Sequence, residues 1–244
     1  MTSIADRFDQ ALTDQGGPPE VELLPMGLAR AAVAVLPVAG AGLSAMAHPD
    51  LRLPIGSSDD VAAFAERLQF TRGVGPCLLA YRASRPQLFT EAELQGAWPE
   101  LHDQLRSVTP FRSIASLPLQ ESPSRIRVGA LDLYLPDPAG LGSDAMADAV
   151  LVADRIGAIL MATGLYTAVA QRATAPPRRP PHTDHLARRA LVWKAMGLLN
   201  VQLRVTAPDA LSLLRARAYA TDQLVDDVAH DVLTQRMPVE DLRP

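Results

Sequence analysis

The sequence of 244 residues has one cysteine, two tryptophans and 5% aromatic residues, and Lys194 is its only lysine. One cysteine, Cys77, forms no internal disulfide and no zinc ribbon, and it fits a reducing cytoplasm. Of five histidines only His182 and His185 are close, with no Cys or carboxylate partner at ligand spacing, so no metal site is expected. There is no P-loop, no Gly-x-Ser-x-Gly and no catalytic-cysteine signature. Gly73-Val74-Gly75 lacks the third glycine and the strand-to-helix setting of a dinucleotide site. Cys77, after Pro76 at the start of an apolar helix, reads as a small buried hydrophobe. The chain is therefore not expected to be an enzyme. The longest uncharged run, 31–47, holds Pro37, Gly40 and Gly42 and falls short of the ~20 residues a spanning helix needs. The N-terminus has no apolar core of a secretory signal, so a cytoplasmic protein is the expectation.

What is present is charge, unevenly spread. The net charge is −4. Residues 1–171 hold 12 basic and 19 acidic residues, net −7, residues 172–217 hold 9 and 2, net +7, and residues 218–244 hold 2 and 6, net −4. Such asymmetry suggests either an anionic partner for the middle segment or a solvated helical face. The apolar fraction of 48% supports a sizeable core.

The pattern predicts helices over 3–13 and 21–36, a buried strand over 38–47 and an edge strand at Leu51, Leu53 and Ile55. Ser57 with Asp60 reads as a capping box for a helix burying Val61, Phe64, Ala65 and Leu68. A second helix starts at Pro76. A short strand at 87–90 precedes helical turns over 91–106, broken near Gly96 and Pro99. Strands follow over 111–119 and 125–134 with a loop between them. Ser143 is read as the N-cap of a helix reaching about Ala170, which packs on the first helices, pairs with another subunit, or both. Four prolines within 173–181 mark an extended linker. Beyond it, Thr183 opens a helix to about Arg204 with apolar positions Leu186, Ala190, Trp193, Gly197 and Leu203. Thr206-Ala207-Pro208-Asp209 opens a second helix, and a third starts near Thr221 or Asp222. The domains are thus 1–171, a linker 172–182 and 183–244, the last near the lower size limit for an independent core.

Residues 183–236 resemble an ANTAR domain, a three-helix RNA-binding module of bacterial antitermination regulators. The matching residues are Ala195-Met196-Gly197-Leu198-Leu199, Thr206-Ala207-Pro208-Asp209-Ala210, Leu214-Arg215, Ala218 and Leu224-Val225-Asp226-Asp227-Val228-Ala229. Residues 21–170 resemble a GAF domain of the sort that precedes ANTAR in actinobacteria. They do so through Leu68-Gln69-Phe70-Thr71, Gly73-Val74-Gly75-Pro76-Cys77-Leu78-Leu79-Ala80, Ala97-Trp98-Pro99, Arg112 to Leu119 and Gly129-Ala130-Leu131-Asp132-Leu133-Tyr134.

The resemblance implies an α+β GAF-like sensor domain with a central antiparallel sheet, helices on one side and a pocket or its remnant on the other, followed by an all-α three-helix ANTAR-like domain. It implies dimerisation through terminal helices and binding of paired hairpins in leader RNA, so that transcription reads through a terminator. Arg188, Arg189, Lys194, Ala195, Gly197, Arg204, Arg215, Arg217 and Ala218 are the candidate RNA contacts, with Arg215 and Gly197 foremost: the arginine for phosphate or base, the glycine for close backbone approach. Phe70, Cys77, Trp98, Arg112 and Tyr134 are the candidate pocket lining. No cofactor is required, and a small-molecule or nucleotide ligand is left open. A homodimer is expected; no membrane and no DNA partner are expected. The family has lysine where Met196 stands, which reads as the loss of a surface cation and leaves the RNA face resting on arginine. The acidic stretch Asp222, Asp226, Asp227 and Asp231 keeps a protein partner for the ANTAR-like part open as the alternative.

Overall fold

The computed structural model describes residues 2–15, 23–48, 51–121, 126–164 and 184–242. The chain forms a five-stranded antiparallel sheet covered by helices, followed by a three-helix bundle. The sheet runs β2-β1-β5-β4-β3, built from β1 (Gly40–His48), β2 (Leu51–Ser57), β3 (Gln87–Phe89), β4 (Ser113–Glu121) and β5 (Ile126–Leu135).

Side chains alternate across the strands. On one face Ala41, Leu43, Leu53, Ala115, Leu117, Leu131 and Leu133 join a single apolar core with α1 (Ile4–Thr13), α2 (Leu24–Val35) and α7 (Ser143–Ala162). The other face lies under α3 (Asp60–Arg72), α4 (Pro76–Ala83), α5 (Glu91–Ala97) and α6 (Pro99–Val108). Helices therefore cover both faces rather than one. The strand positions that turn toward α3 are glycine, serine, Asp132 and Tyr134, and this polar row shapes the site described below.

The bundle comprises α8 (Asp184–Leu203), α9 (Ala207–Ala220) and α10 (Val225–Leu233), closed by a 3-10 turn at Val239–Leu242. Val192, Ala195, Met196 and Leu199 form the buried stripe of α8, at helical steps of three and four. The capping box of α9 forms as the sequence indicates: the Asp209 N–H donates to Thr206 Oγ1 and the Thr206 N–H donates to the Asp209 carboxylate.

Several local expectations change. The N-cap of α3 is Asp59, whose carboxylate accepts from the Ala62 N–H, while the Ser58 hydroxyl donates to that same carboxylate. A Ser57–Asp60 box would place the helix start two residues too early. Val61 is exposed, not buried. Gly142, without a side-chain cap, precedes α7, because the Ser143 hydroxyl is turned to Asp144. Helix α7 ends at Ala162, where Gly164 turns left-handed at φ +65°; residues 165–170 and the expected linker 172–182 lie outside the described residues. Helix α10 begins at Val225 with Leu224 as its N-cap, because Asp222 takes a left-handed φ of 50°, outside right-handed helical backbone. Gly197 is exposed, because the core stripe of α8 lies on its other side.

Helix α7 packs on α1 within the chain, with Arg155 Nε donating to Asp9 Oδ1 at 2.8 Å. Among the described residues no helix is long and apolar enough to cross a membrane.

Candidate functional site

The face of the sheet beneath α3 carries a buried charged cluster. Arg52 of β2 and Asp132 of β5 point from the sheet toward Glu66 and Gln69 of α3. The Arg52 guanidinium pairs closely with the Glu66 carboxylate, donates to the Glu66 main-chain oxygen at 3.0 Å and reaches Asp132 Oδ2 at 3.3 Å. Gln69 Nε2 donates to Asp132 Oδ2 at 2.9 Å, and the Ser116 hydroxyl donates to Oδ1 of the same carboxylate. Ser44 and Tyr134 donate to the Glu66 carboxylate at 2.9 and 2.5 Å. A Cβ on Gly42 would collide with that carboxylate, so only glycine lets α3 approach this closely.

Burial shapes the ionisation here. Burial, together with the Glu66 charge, pushes the Asp132 carboxyl up to about 7 against the pull of Arg52. Burial alone would lower the Arg52 value, but Cys77, Glu66 and Asp132 outweigh it and the net shift is upward. Burial also lifts the Cys77 thiol well above its usual range, so it stays protonated and weakly nucleophilic. Packed this way, the cluster occupies the space between the sheet and α3.

The second constellation is the seam where α3 and α6 meet the bundle. Phe70, near the end of α3, is buried inside the apolar core of the bundle rather than of the sheet. The Arg215 guanidinium of α9 lies 5.0 Å from the Phe70 ring centroid, and its Nε donates to the Phe70 carbonyl oxygen at 3.0 Å. The carbonyls of the last helical turn lack partners within the helix, so a cation placed there also meets the negative end of the dipole. Gly73 caps α3 at φ +66°, and a Cβ there would stand 3.0 Å from Arg215 Nη1. The Val225 N–H donates to Thr71 Oγ1 at 3.1 Å, and Arg67 pairs with Asp226 at 3.3 Å. Gln104 donates to Asp222 at 2.8 Å, and the Tyr219 hydroxyl donates to Glu100 at 2.6 Å beneath the Arg72 guanidinium.

The candidate residues are thus distributed widely. Arg215 is engaged at the seam. Ala195 and Ala218 are buried in the bundle core, as is Met196 at 3% exposure, so the position where the family has lysine is interior here and offers no surface for a cation. Lys194, Gly197 and Arg204 are exposed, Arg188 and Arg217 are half-buried, and Arg189 lies within α8. Of the proposed pocket lining, Tyr134 stacks on Phe111 inside the sheet core and Trp98 packs on Phe89. Arg112 donates to the carbonyls of Thr109 and Phe111, Cys77 sits with Met46 and Tyr81, and Phe70 faces the bundle. These five share no single pocket. Among the described residues no group of His, Cys, Asp and Glu is placed to hold a metal.

Sequence reasoning missed Arg52, Glu66, Gln69 and Asp132. The available signal was Asp132, a carboxylate in the middle of an otherwise apolar strand run.

No family model matches the chain, and no curated protein matches it. Solved structures similar to it include the GAF domain of a phosphoenolpyruvate-protein phosphotransferase from Coxiella burnetii, at 14% identity over 68% of this chain and 97% of that one, with a TM-score of 0.49. The GAF domain of a putative sensor histidine kinase from Pseudomonas syringae pv. tomato matches at 16% identity over 69% and 90%, with a TM-score of 0.42. The phycocyanobilin-bound GAF domain of a cyanobacterial phytochrome matches at 12% identity over 66% and 94%, with a TM-score of 0.43.

Proposed function

We propose that the chain is a signal-responsive antitermination regulator, not an enzyme. In this reading the ANTAR-like bundle binds paired hairpins in leader RNA, and the GAF-like sheet domain serves as small-molecule sensor and dimerisation module of a cytoplasmic homodimer. The observation that carries it is the outer face of α8. Lys194, Gly197 and Val201 follow one another at helical steps opposite the buried stripe, and the exposed Arg204 lies just past the end of the helix. A Cβ added at Gly197 would meet nothing within 4 Å, so a nucleic-acid backbone can approach the helix there. Cations flanking such an opening provide the phosphate contacts that dominate RNA affinity.

A second reading rests on Val201, which is 78% exposed on the same face and suits an apolar protein partner. The acids that favoured such a partner are in part already used: Asp222 and Asp226 clasp Gln104, Arg72 and Arg67 of the same chain.

Filter binding of the full chain to a two-hairpin leader RNA and to a single hairpin tests the proposal. A preference for paired hairpins, affinity falling steeply with salt, and a loss of about tenfold or more in the Lys194→Glu/Arg204→Glu variant are expected. Binding indifferent to both charges and to salt overturns the RNA reading in favour of a protein contact.

A further inference from the structure

Between the α5–α6 corner and α9 the seam opens into a cleft of about 610 Å³, bounded by both parts of the chain. That volume lies within the range of about 300–1,000 Å³ typical of small-molecule sites. We infer that this cleft binds a planar aromatic anion, held between the sheet domain and the bundle. One wall is the Trp98 indole at the turn between α5 and α6; the opposite wall carries Ser212, Arg215 and Tyr219 on successive turns of α9. Arg72, at the end of α3, lines the same space with its guanidinium 5.1 Å from the Tyr219 ring centroid.

The chemistry follows from this lining. Trp98 and Tyr219 both line the cleft, which suits a ring. The lining carries two guanidinia, Arg72 and Arg215, against the carboxylate of Glu100, which gives an anion two cations to meet even though Arg72 also lies 3.8 Å from Asp222 and Arg215 is bonded to the Phe70 carbonyl. Glu100 is itself tied to Arg72 at 3.3 Å and to the Tyr219 hydroxyl, so it braces these groups. Ala97 and Ala216 end in methyl groups, so their positions leave the interior open.

A ligand here touches α5–α6 and α9 together. It binds only the docked arrangement and stabilises it by mass action. This site does not depend on what the bundle recognises through α8.

Calorimetric titration and thermal denaturation of the full chain with adenosine monophosphate and with 2-naphthoate test the inference, with neutral adenosine as the control. At least one anion is expected to bind once per chain, to raise Tm and to alter tryptophan fluorescence, while adenosine binds at least tenfold more weakly. The arm that responds distinguishes a nucleotide from a simple aromatic carboxylate. Arg72→Gln is expected to weaken binding at least tenfold. Because Arg72 also braces the seam, Ser212→Trp provides a second variant: position 212 is exposed on α9, and an indole there fills the cleft without disturbing the core. No binding of either anion at millimolar concentration, adenosine binding as tightly as its phosphate, or unchanged binding in Ser212→Trp would each overturn the assignment.

Discussion

The Arg215 guanidinium stacks on the Phe70 ring at 5.0 Å and donates to the Phe70 carbonyl oxygen at 3.0 Å, joining the bundle to the last turn of α3. Phe70 itself is a core residue of the bundle, although it belongs to a helix of the sheet domain. Some 60 residues in three helices bury a marginal core, and a ring donated from outside adds to it. Phe70→Ala should therefore lower the unfolding free energy by about 3–5 kcal/mol, the usual cost of removing a buried aromatic side chain. Urea denaturation followed by helical circular dichroism measures this, and a loss below about 1 kcal/mol would mean the ring is not integral to the bundle.

Arg215→Ala removes the stacked cation and leaves the Phe70 carbonyl with only the Gly73 N–H, at 3.2 Å, as its donor. Amide hydrogen exchange should speed up at residues 67–73 and 210–219 while the central strands keep their protection, since local opening draws on local contacts. Hairpin-RNA affinity should fall far less than in the Lys194→Glu/Arg204→Glu variant, because Arg215 is already committed to α3. If Arg215→Ala instead abolishes RNA binding with unchanged exchange, Arg215 is an RNA contact, as the bare sequence suggested.

How much of this was legible differs by element, and the differences have physical causes. The start of α9 was legible because Thr206, Pro208 and Asp209 act on each other within one turn. The strands were legible because apolar runs are local too. Arg52 was not legible as a site residue, because alternation with Leu51, Leu53 and Ile55 says only that it lies on the face opposite to theirs. On a sheet covered by helices on both faces, outward from one core means into another, and Arg52 is 2% exposed. Gly197 was assigned to the core of α8 because it fits a helical step from Trp193, yet the step that wins is Val192-Ala195-Met196-Leu199. The docking of Phe70 and Arg215 joins residues 145 positions apart, a pairing no local pattern encodes.

Arg52 is the only cation within hydrogen-bonding reach of two buried carboxylates among the described residues. Arg52→Met should cost about 3–5 kcal/mol, because removing one partner strands buried charge. Replacing the whole group in Arg52→Met/Glu66→Gln/Asp132→Asn should recover a substantial part of that loss, since no uncompensated carboxylate remains. Chemical denaturation of the two variants checks the ordering; a triple variant less stable than the single one would show that the charges contribute more than their pairing.

The same cluster carries a pH dependence whose sign follows from Asp132. Its folded value is about 7 against an ordinary value of 3.8, so between those limits the folded chain holds a proton that the unfolded chain has released. The contribution is fully present below about pH 3.8, declines by at most about 1.4 kcal/mol per pH unit as pH rises, and levels off above about 7. The urea midpoint of the native sequence should fall between pH 5 and pH 8 by more than that of Asp132→Asn, which has no proton to lose. Equal slopes in the two proteins would remove Asp132 from the account.

Gly197 allows stability and recognition to be separated at one position. It lies within α8, is exposed, and has open space where a Cβ would project. Gly197→Ala should therefore stabilise the bundle by about 0.5–1 kcal/mol through the lower helical cost of alanine. If the outer face of α8 meets an RNA backbone at this glycine, the added methyl group intrudes on the contact and affinity for paired hairpins should drop several-fold while Tm rises. A variant that is more stable and binds RNA equally well would move the interface off this face, whereas loss of both stability and binding would show that the position is not open in solution.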